Sequence, residues 1–201
     1  MPWIAFVRHG KTPWNSQRLL QGHIDVELED ETVEQLRSVK LHQNFQDARW
    51  ISSPLIRTME TAKILSGQNP EIEDRLIEMS WGEYEGLPLD ALKSRIKSDQ
   101  LQPARGLDLK PPGGESPRMV KARIKDWLRD FNSTQQQNVV AVTHKGVIRS
   151  VISLATDWDM QAPFEVEVDW SLPQIFYTEQ NKGLRVYALN HDWSSPVACP
   201  L

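Results

Sequence analysis

Three short apolar runs, Trp3 to Val7 (WIAFV), Arg49 to Ser52 (RWIS) and Val139 to Thr143 (VVAVT), are each followed by turn-forming residues and then by a helix-like pattern. Runs that stay apolar instead of alternating belong to strands covered on both faces, and this strand-turn-helix rhythm is that of a buried, largely parallel sheet. In open sheets of that kind, ligands bind beyond the carboxyl ends of the strands. The residues just after each run are therefore the first candidates: Arg8-His9-Gly10, Ser53 through Arg57, and Thr143-His144-Lys145-Gly146. Arg8, His9, Arg57 and His144 are expected to converge on one edge of the sheet with no acidic residue among them. Like charges gather at that cost where an anion is meant to sit.

The helices follow from caps and periodicity. Ser53-Pro54 predicts a cap with proline at the first helical position, opening a helix to about Ser66, and Ser116-Pro117 repeats the device. In the second of these helices Val120, Ile124, Trp127, Leu128 and Phe131 form one core-facing stripe. Val147 to Leu154 continues the pattern after the third run, and Thr32 to Leu41 is a weaker helix. Pro173 to Thr178 and Leu184 to Leu189, flanking a polar loop, predict a β-hairpin added to the sheet. Between residues 81 and 112 the pattern loosens into a short helix around Leu89 to Ile96 and the stretch LQPARGLDLKPPGG. We read it as a lid insertion in a single domain spanning residues 1–201.

Composition excludes several classes. Lys and Arg number 23 against 27 Asp and Glu, a net charge of -4, the opposite of a nucleic-acid-binding footprint. No run approaches the roughly 18 apolar residues of a membrane span, and MPWIAFVRHG lacks the basic region and cleavage site of a secretory signal, so a cytoplasmic protein is expected. The single cysteine, Cys199, leaves no intrachain disulfide, no multi-cysteine zinc site and no cysteine-phosphatase loop. Gly114-Glu-Ser116-Pro-Arg118 lacks the final glycine of a nucleophile elbow. Asp157-Trp-Asp159 follows a helix-like run where an aspartyl-phosphatase pair needs a buried strand, and neither GxxxxGK[ST] nor GxGxxG occurs.

RHGKTPWN at 8–15, QGHIDVEL at 21–28, SSPLIRTMETAKIL at 52–65, DRLIEMSWGEYEG at 74–86, PGGES at 112–116 and THKGVIR at 143–149 together resemble, in order, the blocks of the histidine phosphatase superfamily, the phosphoglycerate mutase-like proteins. The resemblance implies a three-layer αβα sandwich with a mostly parallel central sheet. It implies a nucleophilic His9 that forms a phosphohistidine, phosphoryl-oxygen binding by Arg8, Arg57 and His144 with help from Asn15, and proton donation by Glu78. It requires no metal and no cofactor. The residue types suit that chemistry: an imidazole with a reference pKa of about 6.5 is available as a neutral nucleophile, guanidinium forks match phosphate oxygens, and a carboxyl acid can be tuned by burial or by a neighbouring anion.

Gln21-Gly22 resembles the phosphatase branch more than the mutase branch, and Gln21 joins the substrate-binding candidates. The expected activity is metal-independent hydrolysis of a small phosphorylated metabolite, with neither nucleic acid nor membrane as partner. Mutase-type transfer is the alternative within enzymes, and a catalytically silent phosphate-binding interaction module is the alternative from another class. Lys11 stands where the family most often has Glu or Gln, and Lys145 where it has a small residue. Both add positive charge near the inferred phosphate site and point to a second anionic group on the substrate, or else to two surface lysines. Glu83 and Glu85 remain alternative proton donors to Glu78, Asn15 could cap a turn, and His23, His42 and His191 read as surface or hydrogen-bonding residues.

Overall fold

The computed structural model describes residues 2–101, 105–134, 137–179 and 183–198. Cys199 and most of the expected hairpin loop lie outside them. The elements run β1 (Trp3–Arg8), α1 (Pro13–Ser16), α2 (Asp30–Ser38), α3 (Gln43–Gln46), β2 (Arg49–Ser52), α4 (Ile56–Ser66), β3 (Glu71–Ile72), α5 (Leu92–Ser98), α6 (Pro117–Thr134), β4 (Val139–Thr143), α7 (Lys145–Thr156), β5 (Gln174–Glu179) and β6 (Gly183–Ala188). The strands form one sheet in the order β3-β2-β4-β1-β5-β6. β3, β2, β4 and β1 are mutually parallel, and the hairpin β5-β6 is added antiparallel to β1.

Both faces of the sheet are covered at its centre, which is why Trp3 to Val7 of β1 and Val139 to Val142 of β4 are apolar at every position. Along β1, Ile4 and Phe6 pack with Val120, Ile124 and Trp127 of α6 and Val147 and Val151 of α7. Trp3, Ala5 and Val7 point the other way, toward Phe45, Ala62, Trp193 and Val197. β4 divides likewise, with Val139 and Ala141 on the first face and Val140 and Val142 on the second. The result is the expected helix-sheet-helix sandwich.

Element boundaries depart from the expectations where distant residues supply the ends. α4 begins at Ile56, not beside Pro54; the Ser53 hydroxyl lies 2.8 Å from His144 Nε2 and accepts the Leu55 amide only at 3.4 Å. The cap comes instead from Asp25, whose carboxylate accepts the Ile56 amide at 2.9 Å. α2 runs from Asp30 to Ser38, earlier than Thr32 to Leu41, with Asp30 and Glu31 favourably placed in its first turn. The hairpin strands are each one residue out of register with the sequence reading. β3, a two-residue exposed edge strand, has no apolar run to announce it.

Residues 81–112 hold turns of 3₁₀ helix at Gly82–Tyr84 and Leu89–Ala91 before α5. Leu20, Tyr84 and Ile96, with Trp81, Leu87, Leu92, Leu101 and Leu109 against them, give the segment a small apolar cluster of its own. Among the described residues no helix is long and apolar enough to cross a membrane.

Strand register brings the carboxyl ends of β1, β2 and β4 level with one another. Arg8 lies opposite Thr143 and Ser52 opposite Val142. The next residues continue the ladder, with the His9 amide donating to the Thr143 carbonyl at 2.9 Å and the Ser53 amide to the Val142 carbonyl at 3.0 Å. Three chain segments thus leave the sheet side by side.

Phe6 is fully buried and meets Trp127 and Phe176 edge-on, with ring centroids 5.9 and 5.7 Å apart. Phe6→Ala should therefore cost about 3–5 kcal/mol, read as a lowered midpoint with unchanged slope in urea unfolding.

Candidate active site

At this edge of the sheet His9, Arg57, Glu78 and His144 are all buried, His144 and Arg57 completely. The His9 and His144 rings lie 5.2 Å apart, centroid to centroid. His9 Nδ1 is 2.7 Å from the Gly10 carbonyl. A carbonyl can only accept, so the proton sits on Nδ1 and Nε2 is the ring's unprotonated nitrogen. Gly10 in turn donates its amide to Thr61 Oγ1 at 2.9 Å, and a Cβ at Gly10 would come within 2.6 Å of Thr32 Cγ2.

Three buried polar atoms at the site have no hydrogen-bond partner: Arg8 Nε, Arg57 Nε and His144 Nδ1. Buried groups of this kind are nearly always satisfied, and the two arginine Nε–H groups can only donate, so they mark a place prepared for an acceptor; His144 Nδ1 joins them as a donor in the tautomer whose Nε2 accepts from the Ser53 hydroxyl. The far end of Arg57 is occupied, with Nη2 donating to the Gly22 carbonyl at 2.7 Å and Nη1 to the Ile24 carbonyl at 3.0 Å. Burial pulls its pKa down to about 10, against the influence of Glu78, Asp25 and Glu85, so it stays cationic near neutral pH. The cluster is thus less free of acidic neighbours than the sequence suggested. Those carboxylates come from loops, out of reach of a strand-end reading.

Glu78 projects from the loop after β3, its carboxylate accepting the Met79 amide at 2.8 Å and the Gly146 amide, at the start of α7, at 3.2 Å. A Cβ on residue 146 would lie 2.4 Å from Glu78 Oε1, so the approach depends on glycine. Burial raises the Glu78 pKa, opposed by these two amides and by Arg57 and Arg123. For His9, burial followed by Arg8 and Arg57 holds the imidazole well below its ordinary value. For His144, burial followed by His9 and Arg57 does the same.

The competing carboxylates are engaged elsewhere or apart. Glu85 accepts the His23, Ile24 and Trp81 amides at 3.0, 3.0 and 3.3 Å. Glu83 is exposed and lines no part of the cavity. Asn15 both lines the cavity and completes a capping box with Thr12, and its amide reaches Gln21 Oε1 at 3.4 Å. Lys11 lies at the rim, its side chain 60% exposed and 3.9 Å from Glu29. Lys145 stands at the mouth with its ammonium 4.8 Å above the Trp170 ring. The whole cavity, about 970 Å³, also takes Trp81, Leu89, Leu92 and Trp170 into its walls.

Sequence reasoning missed Ser53 as the partner of His144, Asp25 as the remote helix cap, and the loop-holding roles of Glu85, His23 and Arg123. Asp25 and Glu85 lay inside recognised blocks, which was the one available signal.

The histidine phosphatase superfamily (branch 1) model matches residues 4–189. The chain belongs to the histidine phosphatase superfamily. It is 35% identical over 161 residues to the phosphoglycerate mutase-like protein 4 of Arabidopsis thaliana, covering 76% of this chain and 70% of that one. It is 32% identical over 165 residues to the fructose-2,6-bisphosphatase TIGAR of Xenopus tropicalis, covering 73% of this chain and 58% of that protein. A solved structure named mycobacterial hydrolase 1 superposes with a TM-score of 0.80 at 22% identity, over 95% of this chain and 99% of its own. That likeness bears on the fold. Phosphatases and mutase-like proteins among its relatives make this superfamily member a phosphatase or a mutase.

The depressed histidines have a measurable consequence. Unfolded imidazoles take up protons below about 6.5, whereas the buried His9 and His144 do not until the pH is lower. The unfolded state then binds more protons, and stability falls as pH drops through that window. An NMR titration of the unliganded protein should show both rings titrating below 6.5, and His9→Gln should flatten the loss of stability on acidification.

Proposed function

We propose that this chain is a metal-independent phosphomonoester hydrolase working through a phosphohistidine on His9. The observation that carries the reading is the neutral, Nδ1-anchored His9 set among the unpartnered Arg8 Nε, Arg57 Nε and His144 Nδ1. In the first step the Nε2 lone pair attacks phosphorus, the bond to the ester oxygen breaks, and Glu78 gives that oxygen its proton. In the second, the Glu78 carboxylate takes a proton from water, the water oxygen attacks phosphorus, and the phosphorus–nitrogen bond breaks to release inorganic phosphate and neutral His9. Arg8, Arg57 and His144 hold the phosphoryl oxygens throughout, and Asn15 and Gln21 add amide contacts at the cavity wall. Preorganised donors of this kind need little rearrangement as charge develops.

The raised pKa of Glu78 supports the acid role, since burial keeps a fraction of the carboxyl protonated and a bound phosphoryl dianion pushes the same way. Residues 81–112 act as a lid, with Trp81, Leu89 and Leu92 closing over a small phosphorylated metabolite. Lys145 attracts a second anionic group on that substrate, and Lys11, drawn toward Glu29, contributes less.

With chelator present, wild type should release phosphate from simple phosphomonoesters and form an acid-labile phosphoenzyme in a single turnover. His9→Ala should lose both while keeping its far-UV circular dichroism, and retained activity in that variant would remove the covalent route. Interconversion of phosphoglycerates primed by 2,3-bisphosphoglycerate, in place of phosphate release, would turn the reading to a mutase. Lys145→Ala should raise KM for a phospho-carboxylate relative to a neutral-bodied ester more than Lys11→Ala does, and the gap should shrink with salt as screening sets in.

A further inference from the structure

We propose that His23 is a positioning residue that holds the Glu78 carboxyl in register with the arginine cradle. The inference rests on the reading of Glu78 as proton donor. The main-chain carbonyl of Glu78 is gripped from two sides, by His23 Nε2 at 2.8 Å and by Arg123 Nη2 at 3.2 Å. Since the carbonyl accepts, His23 Nε2 carries the proton.

The two donors tie Glu78 to different parts of the molecule. Arg123 sits on α6, also donates to the Arg75 carbonyl and pairs with Glu115, so it fastens the loop after β3 to that helix. His23 fastens the same loop to the cradle. The carbonyls on either side of it, Gly22 and Ile24, are those held by the two Nη atoms of Arg57, and its own amide is held by Glu85. Glu85 presses so close that a Cβ on Gly22 would lie 2.1 Å from its Oε1. An unbroken path of hydrogen bonds runs from the Arg57 guanidinium through the 22–24 backbone and the His23 ring to Glu78. With the His23 ring gone, Glu78 keeps its tether to α6 but loses its direct one to the arginine side, leaving only the longer route in which Glu85 accepts the Trp81 amide and the amides of residues 23 and 24.

Catalytic geometry is sensitive to this kind of displacement: a misplacement of about 1 Å can cost on the order of a hundredfold in rate. In the phosphorylation step a proton donor out of register matters only when the leaving oxygen needs its proton, whereas the hydrolysis step, in which Glu78 is the base, is shared by both esters. His23→Phe, which keeps a ring but no donor, should lower the single-turnover rate of phosphoenzyme formation from an alkyl phosphate about tenfold and leave that rate for p-nitrophenyl phosphate and the Ki of inorganic phosphate near wild type. His23→Gln, whose amide can reach the same carbonyl, should restore most of the alkyl phosphate rate.

Glu78→Gln is measured alongside. If it shows the leaving-group selectivity and His23→Phe does not, the positioning role is overturned and the proton donor stands. Equal losses on both esters in His23→Phe, or a weakened phosphate Ki, would mean a merely structural part and also overturn it. Should Glu78→Gln itself lack selectivity, the donor assignment fails and the proposal falls with it.

Discussion

Arg57 is a cation with none of its surface in water, and an ion so placed costs several kcal/mol unless the protein answers it. The answer shapes the site. Two carbonyls, Gly22 and Ile24, turn inward onto the guanidinium. That turn sends the His23 and Ile24 amides the other way, where the Glu85 carboxylate receives them. Asp25, the next residue, then reaches the first amide of α4 and caps the helix that carries Arg57 itself. An arginine in the first turn of a helix is unfavourable for the helix dipole, and a carboxylate at the cap sets that right from another part of the chain.

The same exclusion of water acts on the titratable groups in opposite senses. It lowers the pKa of His9 and His144 and raises that of Glu78, so each is driven toward its neutral form. A neutral imidazole and a protonated carboxyl are the pair that attack on phosphorus and departure of an alkoxide call for. On the function proposed above, one environment prepares both the nucleophile and the acid.

The strands were legible because Trp3 to Val7, Trp50 to Ile51 and Val139 to Val142 are buried on both faces and show it as apolar runs. Since the site lies at their carboxyl ends, Arg8, His9 and His144 could be read with them, and Arg57 came with the helix after β2. What was illegible depends on contacts between distant segments. Nothing local marks Asp25 as a helix cap across 31 residues, or Glu85 as the clamp of a loop 62 residues away. Pro54 looked like a helical first residue for the same reason, since the Ser53 hydroxyl meets His144, 91 residues on, and accepts the Leu55 amide only at 3.4 Å. Glu78 was named through a resemblance, and its differences from its acidic neighbours, burial against the Gly146 amide where Glu83 is exposed and Glu85 clamps the 23–24 amides, arise from distant contacts.

Of the tryptophans, Trp3, Trp50 and Trp127 are buried in the sandwich, whereas Trp81, Trp170 and Trp193 line the cavity, Trp170 under the Lys145 ammonium. Indole emission responds to nearby charge and to solvent. The molecule therefore carries its own optical reporter: a ligand that displaces Lys145 from the Trp170 ring changes the quantum yield of a chromophore at the mouth, while Trp3, Trp50 and Trp127 emit from the core.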